Sequence, residues 1–147
     1  MTSNDGRQWS SKGLALEASL RAVAFGGGRW VAVGERGVFV SSTNLVTWDR
    51  GLAPFGGNLN AVCYGNGSFV AVGEHGVVLN SPTGRDWQPR QAPLTNGLTG
   101  ICFQRGRWVA VGTRRLGAGY HSSYNGVRAY SSNLVDWAVQ EVRGSEL

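Results

Sequence analysis

Residues 20–48 read LRAVAFGGGRWVAVGERGVFVSSTNLVTW, and residues 59–87 read LNAVCYGNGSFVAVGEHGVVLNSPTGRDW. About half of the aligned positions are identical. The pattern returns, stretched, over residues 98–137. Leu20, Leu59 and Leu98 are 39 residues apart, as are Trp9, Trp48 and Trp87. A fixed period of this size marks a repeat architecture, so the repeat is read before any single motif.

Within one repeat, short β-branched and aromatic runs alternate with turns. LRAVAF is a first strand, RWVAVG a second and VFVSS a third, and Trp48 opens a fourth. Gly26-Gly27-Gly28 is the first turn, with Gly65-Asn66-Gly67 and Gln104-Arg105-Gly106 at the same phase. Glycine and asparagine adopt positive φ there at low cost. The runs are apolar on both faces, as in strands held between neighbouring layers. Four short antiparallel strands per ~40 residues is the layout of a β-propeller blade. The expected fold is therefore all-β: one propeller-like domain over residues 1–147. It comprises a partial repeat and connector (1–19), then blades at 20–58, 59–97 and 98–147. Residues 1–9 match the end of the repeat and predict an extra N-terminal strand. Trp30, Phe69 and Trp108 share one phase and Trp9, Trp48, Trp87 and Trp137 another; all are expected in the repeat core.

The turn before each of these last Trp residues carries Ser3-Asn4-Asp5-Gly6, with Asn44, Thr83 and Asn133 at the Asp position of the later copies. It resembles the Asp-box of bacterial neuraminidase-type repeat propellers. The fuller unit, with its AVGxxG strand-turn, resembles the repeats of photosystem II stability/assembly factor-like propellers. The resemblance covers nearly the whole chain and implies a fold more than a function. Asp, Asn and Thr can each bond their own turn backbone, so the box reads as a structural clip. Sialidases share such boxes, and their chemistry needs an Arg cluster, a Tyr-Glu pair and an acid/base Asp. No sialidase Arg motif stands near this N-terminus, and fold alone transfers no activity.

The third repeat is 11 residues longer, and the excess falls between Gly112 and Ser131. The insert, 113–130, lies where the second-to-third strand turn belongs. Insertions in repeat proteins map to loops on one face, often the binding face. It carries Arg114, Arg115, Tyr120, His121, Tyr124 and Arg128, which are the expected partner-binding residues.

Composition sets the bounds. The chain has 147 residues, 41% hydrophobic, with 23 Gly and a formal net charge of +5. Lys12 is the single Lys. An Arg-rich surface could meet nucleic acid or an acidic partner, but a solvated basic surface explains it as well. Cys63 and Cys102 share the phase of Ala24 and read as small buried hydrophobes, not as a metal or disulfide motif. His75 replaces Arg36 in a repeated turn, and Glu35 and Glu74 are one repeat position seen twice, so neither signals catalysis. No Walker loop, metal helix or nucleophile elbow is present. No catalytic, cofactor or metal residues are expected. Residues 2–8, TSNDGRQ, are polar with no apolar run behind them, and no segment approaches a membrane span, so a cytoplasmic or particle-assembled protein is expected.

Three blades should not close a ring, since propellers use about 4–8. A homo-oligomer is therefore expected, first of all a dimer of three-blade halves. The functional expectation is a non-catalytic binding module that docks a protein partner, with a component of a larger particle such as a phage virion in view. The alternative is a glycan-binding or sialidase-like protein of the Asp-box class.

Overall fold

The second strand of the middle repeat shows the architecture most plainly, because its residues are buried on both sides. Ser68–Gly73, SFVAVG, turns Phe69 and Ala71 into one apolar cluster and Val70 and Val72 into another. Successive side chains of a strand point to opposite faces, so this strand lies between two layers. A computed structural model describes residues 1–10, 16–90, 97–116 and 123–142.

Among the described residues, twelve strands form three four-stranded antiparallel sheets. The first holds β1 (Leu20–Gly26), β2 (Arg29–Gly34), β3 (Val38–Ser42) and β4 (Asp49–Leu52). The second holds β5 (Leu59–Gly65), β6 (Ser68–Gly73), β7 (Val78–Ser81) and β8 (Gln88–Arg90). The third holds β9 (Leu98–Gln104), β10 (Arg107–Leu116), β11 (Ser123–Ser131) and β12 (Ala138–Val142). In each sheet the strands follow chain order. The first strands, β1, β5 and β9, lie side by side across the three sheets. This is three propeller blades, one per repeat.

Each blade seals against the one before it. Val31, Val33 and Phe39 of the first blade bury against Phe69, Leu79 and Trp87 of the second. Val70, Val72 and Val78 of the second bury against Trp108, Ala129 and Leu134 of the third. Polar ties follow the same period. Arg21 donates to Asn60 Oδ1 at 3.0 Å, and Asn60 Nδ2 donates to the Leu98 carbonyl at 2.9 Å. Backbone crowding fixes a glycine at the same phase of each second strand. A Cβ on Gly34, Gly73 or Gly112 would stand 2.0, 2.1 and 2.4 Å from the carbonyl oxygens of Ser19, Asn58 and Gly97.

The Ser-x-Asx turns are closed by their own side chains. Asn44 Oδ1 accepts from the Val46 and Thr47 N–H groups at 2.9 Å each. Asn133 Oδ1 does the same for Val135 and Asp136 at 2.9 Å. Asp5 Oδ1 accepts from Arg7 at 2.8 Å and Gln8 at 2.9 Å. Thr83, with its shorter side chain, reaches Arg85 and Asp86 at 3.2 Å. The Gln8 and then the Arg7 N–H hold the Asp5 carboxyl below its ordinary range.

Four expectations change. Residues 1–10 do not add a strand to a sheet; they fold back on themselves through a lone Thr2–Ser10 bridge. Trp9 stays 60% exposed and is not core. Cys102 is exposed on the outer face of the third blade, and Cys63, packed against that blade from the second, is only half-buried. The insert is also not simply a loop. Most of it lengthens β10 and β11, which pair from Trp108–Ser131 out to Leu116–Ser123. In the other blades Arg36 and His75 take φ of 55° and 54°, each followed by a positive-φ glycine, Gly37 or Gly76. Arg115 stands at that glycine phase in the third blade, so the tight turn is lost and the strands run on.

Candidate functional site

The same aromatic pair recurs at the end of every first strand. Phe25 meets Trp30 with ring centroids 4.7 Å apart, Tyr64 meets Phe69 at 4.8 Å, and Phe103 meets Trp108 at 4.7 Å. Each pair is a directly opposed couple across the first two strands, which brings the rings onto one face. In the second and third blades that face is sealed by the preceding blade, and Phe69 and Trp108 are 1% and 2% exposed. Among the described residues no blade precedes the first. Phe25 is 55% exposed, Val23 60%, and Trp30 only half-buried.

This open face is the floor of a groove of about 530 Å³. Val23, Trp30 and Ala32 line its base, Leu45 and Trp48 one wall, and Met1, Thr2 and Trp9 the other. The lining is apolar, and its charges lie at the margin. At one end Arg21 pairs with Glu35 at 3.4 Å. The Ser19 N–H first, and then the Arg21 side chain, hold the Glu35 carboxyl below its ordinary range. Glu74 is held down likewise by the Asn58 backbone and side chain. Away from the groove, Asp49 is shared by Arg29 and Arg85 across the seam between the first and second blades. Such a surface can bury apolar side chains and main chain.

Of the insert residues whose side chains are described, Arg114 and Arg128 do not share a surface. Arg114 lies opposite Asn125 and pairs with Glu141, on the face turned toward the second blade. Arg128 lies opposite Val111, on the other face, and is exposed. Arg115 and Tyr124 are register partners in the lengthened hairpin. Tyr120 and His121 fall outside the described residues. His75 sits exposed in its turn, edge-on to Phe55 at 6.3 Å. Among the described residues no group of His, Cys, Asp or Glu could hold a metal ion. No helix among them is long and apolar enough to cross a membrane. Val23 and Phe25 are the site residues that motif reading passes over. Their signal is phase: they are the first-blade counterparts of Val62 and Tyr64.

Fold and open face together define a β-propeller segment, and the solved structures agree on the fold. A structure of YCF48 bound to D1 peptide matches with a TM-score of 0.68 and 20% identity over 95% of this chain and 45% of that one. The WD40 β-propeller domain of Doa1 matches with a TM-score of 0.54 and 14% identity, over 81% of this chain and 53% of that one. The computationally designed Ika4 protein matches with a TM-score of 0.54 and 13% identity, over 88% and 94%. The chain spans about half the length of the first two. No protein-family description and no curated protein matches the sequence.

Proposed function

We propose that this chain is a non-catalytic binding module, a propeller segment whose open blade face docks a protein partner. The observation that carries the reading is the Phe25–Trp30 pair. It has the phase and geometry of two pairs sealed inside the molecule, yet it is left open. Exposed apolar faces of this kind mark interaction sites. YCF48 was solved with a bound peptide, which supports peptide or protein binding on a related scaffold. The partner could be a second copy completing a ring, or another chain of a larger particle such as a phage virion. The 113–130 insert, with Arg114, Arg115, Tyr120, His121, Tyr124 and Arg128, supplies further contacts in this proposal. Arg and Tyr are enriched where interfaces hold their energy.

The test is a panel of extended peptides titrated against the chain and read by Trp emission. Binding peptides should shift the emission, and a Val23→Asp, Phe25→Asp variant should lose that response while keeping its far-ultraviolet spectrum. A response unchanged in the variant, or turnover of a sialoside substrate by the wild-type chain, would contradict the reading.

A further inference from the structure

Within this chain, one blade receives the next on a glycine. The Tyr64 ring lies so close over Gly26 that a Cβ there would stand 2.0 Å from it. Phe103 lies over Gly65 in the same way, with the corresponding distance 2.3 Å. Real Cβ atoms do not come that close to a ring, so any side chain at these positions would push the blades apart. The third member of the phase, on the outer face of the third blade, is Gln104.

Two more positions on that outer face break the pattern. The residues opposite Val33, Val72 and Val111 are Phe39, Val78 and Arg128. Trp87 packs on Phe39 with centroids 5.9 Å apart. A second copy stacked on this face would set its Phe25 on Gln104 and its Trp48 on Arg128. The residues opposite Val31, Val70 and Val109 are Ser41, Asn80 and Tyr130, so a small or medium polar residue gives way to a ring.

Residues 1–10 add a third obstacle. Thr2 shares a groove with Trp30 and Leu45, as its counterpart Asn80 shares one with Trp108 and Leu134. The N-terminal turn therefore stands where the outer rim of a preceding blade would stand. A second copy would bring its own rim, the 131–137 turn and β12, to the same place. What the groove lacks is the inner part of a blade: its first two strands and most of its third.

We infer that the groove between residues 1–10 and the first blade accepts the three inner strands of a blade from a different polypeptide, with a glycine closing the first of those strands. Gln104 and Arg128 keep it from taking this chain's own third blade. The inference rests on the binding reading above and names the partner's chemistry.

Residues 59–81 of this chain, fused to a soluble carrier, provide the probe, because they are three inner strands with Gly65 in the receiving position. Titration against the full-length chain, read by Trp emission, should show saturable binding. Gly65→Gln in the probe should weaken it at least about tenfold. Phe25→Ala in the chain tests the same contact from the other side and should weaken it similarly. Sedimentation of the wild-type chain should show no self-association that depends on Phe25. Equal binding of the two probes, or a wild-type dimer abolished by Phe25→Ala, overturns the inference and leaves the binding reading standing. If neither this probe nor any extended peptide binds, both are overturned.

Discussion

Gly65 and Gly56 differ only in what surrounds them, and that difference sets what a methyl group would cost. A Cβ on Gly65 meets the Phe103 ring at 2.3 Å, whereas one on Gly56 meets nothing within 4 Å. Gly65→Ala should therefore cost about 1–3 kcal/mol by overpacking, and Gly56→Ala close to nothing, as measured by denaturant unfolding. Trp108→Ala should cost about 3–5 kcal/mol, because the ring is buried between blades. Trp30→Ala, at the same phase on the open face, should cost clearly less, and an equal loss would mean that Trp30 is covered in the free chain. The phase of these residues is legible in the sequence, since a 39-residue spacing assigns Trp30, Phe69 and Trp108 to one position. Their burial is not, because periodicity says which way a side chain points and not whether a neighbour stands there. Trp9 and Cys102 are misread for the same reason. Acid should act on Glu35 and Glu74. Both have lowered folded-state pKa values, so their contribution is present above the ordinary carboxylate range and is lost as pH falls through the folded values. Denaturant midpoints followed from neutral pH downward should fall in acid, and the Glu35→Gln, Glu74→Gln double variant should flatten that fall.

At the scale of the strand and the turn, the Asx turns and the lengthened hairpin behave differently. Asn44 and Asn133 each accept two backbone N–H groups at the rim of their blades. Replacing either by Ala should cost about 1 kcal/mol, since the donors return to water at an exposed turn. The hairpin of β10 and β11 shows what the sequence leaves open. An insertion is visible as a broken period, yet whether it loops or extends depends on one turn. The glycine phase held by Gly37 and Gly76 is Arg115 in the third blade, and that single change is readable once the φ of 71° and 72° at the two glycines is known. The hairpin's faces follow only from register: Arg114 opposite Asn125 and Arg128 opposite Val111 look in opposite directions. The two thiols test which face of the third blade is free. Burial pushes the Cys63 thiol up, whereas Cys102 is exposed on the outer face. A thiol reagent should label Cys102 well before Cys63, and the reverse order would mean that the outer face is covered.

At the scale of the molecule, three blades stack in one direction and end in two unlike faces. One presents Val23, Phe25 and Trp30 beneath an isolated turn; the other presents Gln104, Arg128 and Tyr130 around Val109 and Val111. Terminal repeats of stacked proteins are atypical where stacking must stop, and the third blade has that character while the first does not. The asymmetry gives the molecule one face built like its own interior and left open. Hydroxyl-radical footprinting reads that face directly, residue by residue, in the intact chain. Alone, Phe25 and Trp30 should be oxidised readily while Phe69 and Trp108 are protected. With the fusion carrying residues 59–81 added at saturation, Phe25 and Trp30 should fall to the level of Phe69 and Trp108. Protection of Phe25 and Trp30 in the free chain, or reactivity unchanged by the bound segment, would contradict the account.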